Sequence, residues 1–246
     1  MARIELRDAT IYLQDGLSGT GALNDAGGLS GGELNLDIDT IVLNSTDTDL
    51  VPVGARFTIV GEATAVIHTV TARTPTSSSP TTNIVFTPAI AAASTIADNA
   101  VITFLPQRVA IKIGDGNLTW TRNKEYNYEL DRGNLDTVRE GDQIPMDVTI
   151  DFTYEHIRTG TGEVITPDDA LNQEGGAAEW VSSATDACEP YAVDILIDHA
   201  TPCGSAEDEL TTLPDYRYES LNHDLDAATI SSSGRCNAVA PTVARS

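Results

Sequence analysis

Lysine is almost missing from this chain: the 246 residues hold two, Lys112 and Lys124, and with twelve arginines they face 37 acidic side chains, giving a formal net charge of −23. An excess of that sign repels phosphate, which excludes a surface that grips nucleic acid. No long apolar run is present. The longest, from Pro88 to Leu105, is broken by Ser94, Thr95, Asp98 and Asn99, short of the roughly 18 clean residues of a membrane-spanning helix. The start, Met1-Ala2-Arg3-Ile4-Glu5, sets a carboxylate where a signal peptide carries its apolar run, so the expected compartment is the cytoplasm until assembly or lysis. Cysteines are few and odd in number, Cys188, Cys203 and Cys236, which makes no secreted disulfide framework. Their spacing around His199 matches no zinc finger or knuckle, so no metal is expected; a Cys188–Cys203 bridge stays open. Aromatic residues amount to 5%, yet the hydrophobic share of 41% is that of a chain able to bury a core.

What is present is alternation. Met146, Val148, Ile150, Phe152 and Tyr154 alternate with Asp147, Thr149, Asp151, Thr153 and Glu155, the period of a half-buried strand. The same pattern sets Tyr126, Tyr128 and Leu130 against Glu125, Asn127, Glu129 and Asp131. It sets Val193, Ile195 and Ile197 against Asp194 and Asp198, and Leu221, His223 and Leu225 against Asn222, Asp224 and Asp226. The expected class is mainly β, with the acidic excess gathered on polar strand faces as a continuous negative surface. One helix is expected, opening at Thr166-Pro167-Asp168-Asp169 with an N-cap, an N1 proline and acids in the first turn, and ending at Gly175-Gly176.

The stretch 15–33, with seven glycines, has too little apolar content to pack alone and reads as a mobile arm. Residues 36–106 read as a small inserted all-β domain, with Thr74–Thr82 as a polar hairpin tip inside it. Residues 1–35 and 107–246 then make one discontinuous core domain.

Candidate chemistry is sparse. Asp37/Asp39 and Asp224/Asp226 lie about 7 Å apart on a strand face, a glycosidase-like spacing, but no aromatic sugar platform accompanies them. Gly114-Asp115-Gly116-Asn117 begins like a nucleotide loop yet leads into strand-like Trp120-Thr121 rather than a helix. His68, His156, His199 and His223 are scattered; His156 and His223 fall on apolar strand faces, as core histidines do. No catalytic residue, cofactor or enzymatic activity is expected. The polar connection Asp131 to Asp142 stands apart, and two readings stay open: a segment ordered by a partner, or a solvated hairpin tip.

Several stretches in order are similar to the tail tube (major tail) proteins of long-tailed, siphovirus-type bacteriophages. They are Ile111 to Thr119, Tyr128 to Asp142, Cys188 to Ile195, Pro214 to Ser220, and Ala228 to Asn237. The resemblance implies a tail-tube β-sandwich or half-barrel with one flanking helix, six copies forming a ring and rings stacking into a hollow virion tube. It implies as partners the chain itself, a tape-measure protein, a tail terminator and distal tail or baseplate proteins, with DNA only in transit and no membrane. Glu125, Glu129, Asp147, Asp151 and Glu155 are then the candidates for an acidic lumen wall. Asp131, Arg132, Asn134, Asp136, Arg139, Glu140 and Asp142 are the candidates for contacts between subunits or rings, and 36–106 would decorate the outer tube surface. The alternative reading is an acidic β-sandwich adhesin, tail fibre or decoration protein that binds a host-surface glycan.

Overall fold

The computed structural model describes residues 9–24, 28–44, 51–75, 82–113, 117–153, 158–159, 162–163, 165–186, 188–199 and 209–245. The chain is mainly β. In order come β1 (Ala9–Gln14), β2 (Gly19–Leu23), β3 (Leu29–Ser30), β4 (Asn35–Leu43), β5 (Arg56–Ile59), β6 (His68–Pro75), β7 (Thr82–Thr87), β8 (Thr95–Ile96), β9 (Val101–Leu105) and β10 (Arg108–Ile111). There follow β11 (Leu118–Thr121), β12 (Tyr126–Asp131), β13 (Asn134–Glu140), β14 (Met146–Thr153), β15 (Arg158–Thr159), β16 (Gly162–Glu163), helix α1 (Pro167–Asn172), β17 (Val193–His199), β18 (Glu209–Asp224), β19 (Thr229–Cys236) and β20 (Thr242–Arg245).

These elements fall into two compact units, 1–14 with 109–177 and 183–246, and 15–108 with 178–182. The second unit is wider than the 36–106 expected for the inserted domain. The reason is β2: its residues pair with β4 on one side and β9 on the other, closing the barrel β2-β4-β7-β6-β5-β9. Of the glycine-rich stretch expected as a mobile arm, Gly19–Leu23 is therefore barrel wall and Leu29–Ser30 pairs with β8. Gly19 shows why glycine is needed there: at φ +151 its hydrogen faces the Val42 carbonyl, where a Cβ would lie 2.2 Å from the oxygen. Leu23, Ile38, Phe57, Ile84, Phe86, Ile102 and Phe104 fill the barrel. The spacer expected as a hairpin tip is flanked by paired residues, Pro75 opposite Thr82; 76–81 lie outside the described residues.

The first unit is built on a sheet ordered β10-β1-β17-β18-β19-β14-β11, with β20 also on β18. β14 follows the expected alternation, Met146, Val148, Ile150 and Phe152 buried and the residues between them turned outward; Tyr154 and Glu155 lie outside the described residues. β17 departs from it, because Leu196 is buried beside Ile195 while Ile197 is not fully buried. Leu225 also departs: β18 ends at Asp224, so Leu225 sits in the turn to β19 and is 80% exposed. Helix α1 starts where its signals place it but ends before the expected Gly175-Gly176, which lie in a 3-10 turn of their own. The Thr166 hydroxyl accepts from Asp169 N–H at 3.1 Å and the Asp169 carboxylate accepts from Thr166 N–H at 2.9 Å, a closed capping box. Gln173 in the left-handed region ends it.

Candidate functional site

Two surfaces of the first unit hold the residues singled out from the sequence. The first is the outward face of β11-β14-β19-β18. Register alone assigns it: Thr121 lies opposite Asp147 and Thr119 opposite Thr149, and Asp147, Thr149, Asp151 and Thr153 lie opposite Arg235, Ser233, Ser231 and Thr229. Ser220, Asn222 and Asp224 of β18 continue the rows beyond Ser233, Ser231 and Thr229. Antiparallel partners point to the same side, so all these residues share one face. Its chemistry differs from the continuous negative surface expected: hydroxyls dominate and the carboxylates are engaged. Asp147 accepts from Arg235 Nε at 3.0 Å and from Asn123 Nδ2 at 3.2 Å, and the same guanidinium lies 3.7 Å from Glu219. Asp151 accepts from the Ser231 hydroxyl.

The second surface is the hairpin β12–β13. Residues 131–142 were expected as a polar connection, but 134–140 form a strand paired to 126–131 around the two-residue turn Arg132-Gly133. Both turn residues have positive φ, 51° and 86°, the hand that matches the twist of a hairpin. The apolar residues of β12, expected to pack on a core, do not. Every residue of both strands is exposed, Tyr128 at 61%, Leu130 at 65% and Leu135 at 63%. By register Tyr128 lies opposite Val138 and Leu130 opposite Leu135, with Glu140 opposite Tyr126 at the root, so Tyr126, Tyr128, Leu130, Leu135 and Val138 share an uncovered, mainly apolar face. The other face carries Asn127, Glu129, Thr137 and Arg139; Glu129 accepts from the Thr137 hydroxyl at 2.9 Å and lies 3.6 Å from Arg139.

The structure thus divides the five lumen candidates. Asp147 and Asp151 share the hydroxyl-rich face; Glu129 lies on the hairpin and Glu125 at its root, where Glu125 C=O accepts from Gly141 N–H at 2.8 Å. Glu155 lies outside the described residues. Asp131, Arg132, Asn134, Asp136, Arg139 and Glu140 all lie on the hairpin, with Asp142 just past it. The apolar hairpin face was missed because its residues alternate as core residues do; only the two-residue turn and the hairpin's separation from the main sheet tell it apart.

Among the described residues no cluster of three or more metal-ligating side chains occurs. Cys236 is buried and Cys188 exposed; burial pushes the Cys236 thiol up to about 12, with Asp194 and Asp215 adding to it. Burial likewise raises the Asp194 carboxyl above its ordinary value and the Tyr216 phenol to about 12. Gly114, Asp115, Gly116 and Cys203 lie outside the described residues. No family model, no curated protein and no solved structure matches this chain.

Proposed function

We propose that the chain is a structural virion protein that self-assembles into stacked hexameric rings, forming the hollow tail tube of a long-tailed bacteriophage and conducting DNA through its lumen. The observation that carries this reading is a four-strand run with, among the described residues, an unpaired edge at each end. β11 is the last strand of the sheet. β17 accompanies β18 only as far as Val193 opposite Tyr216, so beyond Tyr216 one side of β18 carries no strand among the described residues. Open edges of this kind are templates for another copy.

Direction makes the two edges complementary. β18 runs antiparallel to β19, β19 to β14 and β14 to β11, so the two outer strands run oppositely. A neighbour generated by rotation brings its β11 antiparallel to β18, with hydroxyl face continuing hydroxyl face and apolar face continuing apolar face. Such a heterologous contact closes into a ring when the rotation allows. The face that would line the channel offers DNA few cations, Arg235 being held by Asp147 and Glu219 and Arg217, opposite it, by Glu189, so phosphate finds little to grip. The hairpin supports stacking: an uncovered apolar face on a chain of charge −23 is a surface suited to another copy. Tape-measure, terminator and distal tail proteins are the further partners of this reading, and the 15–108 unit would sit on the outer surface.

Light scattering against concentration tests it. Mass should rise past a single ring into long assemblies; a plateau at a small oligomer with saturable glycan binding would favour the adhesin reading instead.

A further inference from the structure

We infer that Trp120 of one copy is the anchor that locks neighbouring copies together, seated in a cavity between α1 and the open edge of β18 on the next copy. The inference rests on the ring reading above and specifies its contact.

Trp120 is misplaced for a monomer. It lies opposite Val148, which lies opposite Gly234, which lies opposite Tyr218; all four therefore sit on the apolar face of the sheet. Val148 is 1% exposed, whereas Trp120 at the sheet edge is 40% exposed. The indole is thus a large apolar group on the core-facing side, and among the described residues no strand lies beyond it in the sheet.

The complementary feature stands at the opposite edge of the same four-strand run. A cavity of about 220 Å³ is lined by Leu171, Tyr191, Val193, Tyr216, Arg217 and Tyr218. For scale, a cavity of about 150 Å³ holds a benzene ring. Its lining includes Val193 and Tyr216, the pair at which β17 stops accompanying β18, so a strand added along the free edge of β18 starts beside it. Its walls are fixed. The Tyr191 hydroxyl donates to the Ala170 carbonyl at 2.8 Å, the Tyr218 hydroxyl to Asn172 Oδ1 at 2.6 Å, and Arg217 donates to Pro190 C=O at 3.0 Å and Glu189 at 2.6 Å. With these polar groups already satisfied, what the cavity offers a visitor is aromatic and aliphatic surface beside a guanidinium, an environment suited to an indole.

Parity joins the two. If β11 of one copy pairs along β18 of the next, sheet faces must match, so Thr119 and Thr121 fall on the hydroxyl side and Trp120 on the side of Tyr216 and Tyr218. A tryptophan entering a preformed pocket at the centre of a strand-to-strand junction is the composition of an interface hot spot.

The test uses the full chain and its fluorescence. The chain holds two tryptophans; Trp180 is buried, 2% exposed, so the difference between wild type and Trp120→Phe isolates Trp120. On concentration into rings or tubes, Trp120 emission should shift to the blue and lose accessibility to acrylamide. Trp120→Ala gives up the indole's partial cover in the monomer, should leave the monomer folded, and should raise the concentration needed for assembly about tenfold or more. If wild type forms rings while Trp120 stays as quenchable as in the monomer and Trp120→Ala assembles at the wild-type concentration, the anchor is overturned and the ring reading stands. If wild type forms no rings, the ring reading falls and the anchor with it.

Discussion

At the scale of single residues, the clearest titrating group is Asp15, which is 0% exposed. Its carboxylate accepts from the backbone N–H groups of Leu17 at 3.2 Å, Gln107 at 2.6 Å and Val181 at 3.3 Å, and from the Gln107 side-chain amide at 3.1 Å. Burial nonetheless outweighs these donors and raises its pKa from 3.8 to about 6. Between those values the folded chain keeps a proton that the unfolded chain has released. The stability this group contributes is therefore complete below about pH 4 and lost as pH rises through 6, a change on the order of 3 kcal/mol. Unfolding of wild type and Asp15→Asn compared from pH 4 to 7 should show the difference between them changing across that window; parallel profiles would reject the assignment. Asp147 belongs to a different regime. Its pair with Arg235 is half-exposed and is worth about 1 kcal/mol or less. Asp147→Lys with Asp151→Lys should leave the monomer folded but impair assembly or genome passage, and normal infectivity of phage carrying both changes would remove this face from the lumen.

At the scale of elements, the hairpin makes the sharpest claim. Tyr128→Asp with Leu130→Asp touches no buried group, so the thermal midpoint of the monomer should stay within the shift of about 0.5 kcal/mol expected of surface changes, while sedimentation should show stacking lost. A fall in monomer stability of several kcal/mol would mean that the hairpin packs on its own chain. The same element shows where sequence reading stops. β14 and α1 were legible because their signals are local: strict alternation in one, a capping box in the other. β12 carries the same alternation as β14, yet alternation reports only that one face is apolar, not which chain covers it. The strand character of 134–140 was hidden because its charges fall on both faces, Glu140 opposite Tyr126 and Arg139 opposite Asn127, which a doubly exposed strand tolerates and a half-buried one does not. The barrel boundary was hidden for a related reason: β2 is glycine-rich because the neighbouring backbone approaches closely at Gly19, and glycine in sequence reads as freedom. On the candidate site, the polar positions of β14 were legible, but that Arg235 would neutralise Asp147 depends on a register between residues 88 apart.

At the scale of the whole molecule, 27 of the 37 acidic residues belong to the first unit, so copies repel one another except where they present uncharged surface. In the first unit the exposed large apolar residues include Tyr126, Tyr128, Leu130, Leu135 and Val138 of the hairpin, Trp120 of β11 and Tyr218 of β18. Like-charge repulsion weakens with salt while apolar burial does not, so assembly should strengthen as ionic strength rises from 0.05 to about 0.5 M, where the screening length falls well below 10 Å. Weakening over that range, followed by light scattering, would indicate an assembly held by ion pairs instead. The central claim, that this chain closes into rings and stacks into a hollow tube, is tested most directly by negative-stain electron microscopy of the purified, concentrated protein. Annular particles and tubes with a stain-filled central channel are the expected result; a discrete small oligomer that never stacks, or monomer alone at every concentration, would contradict it.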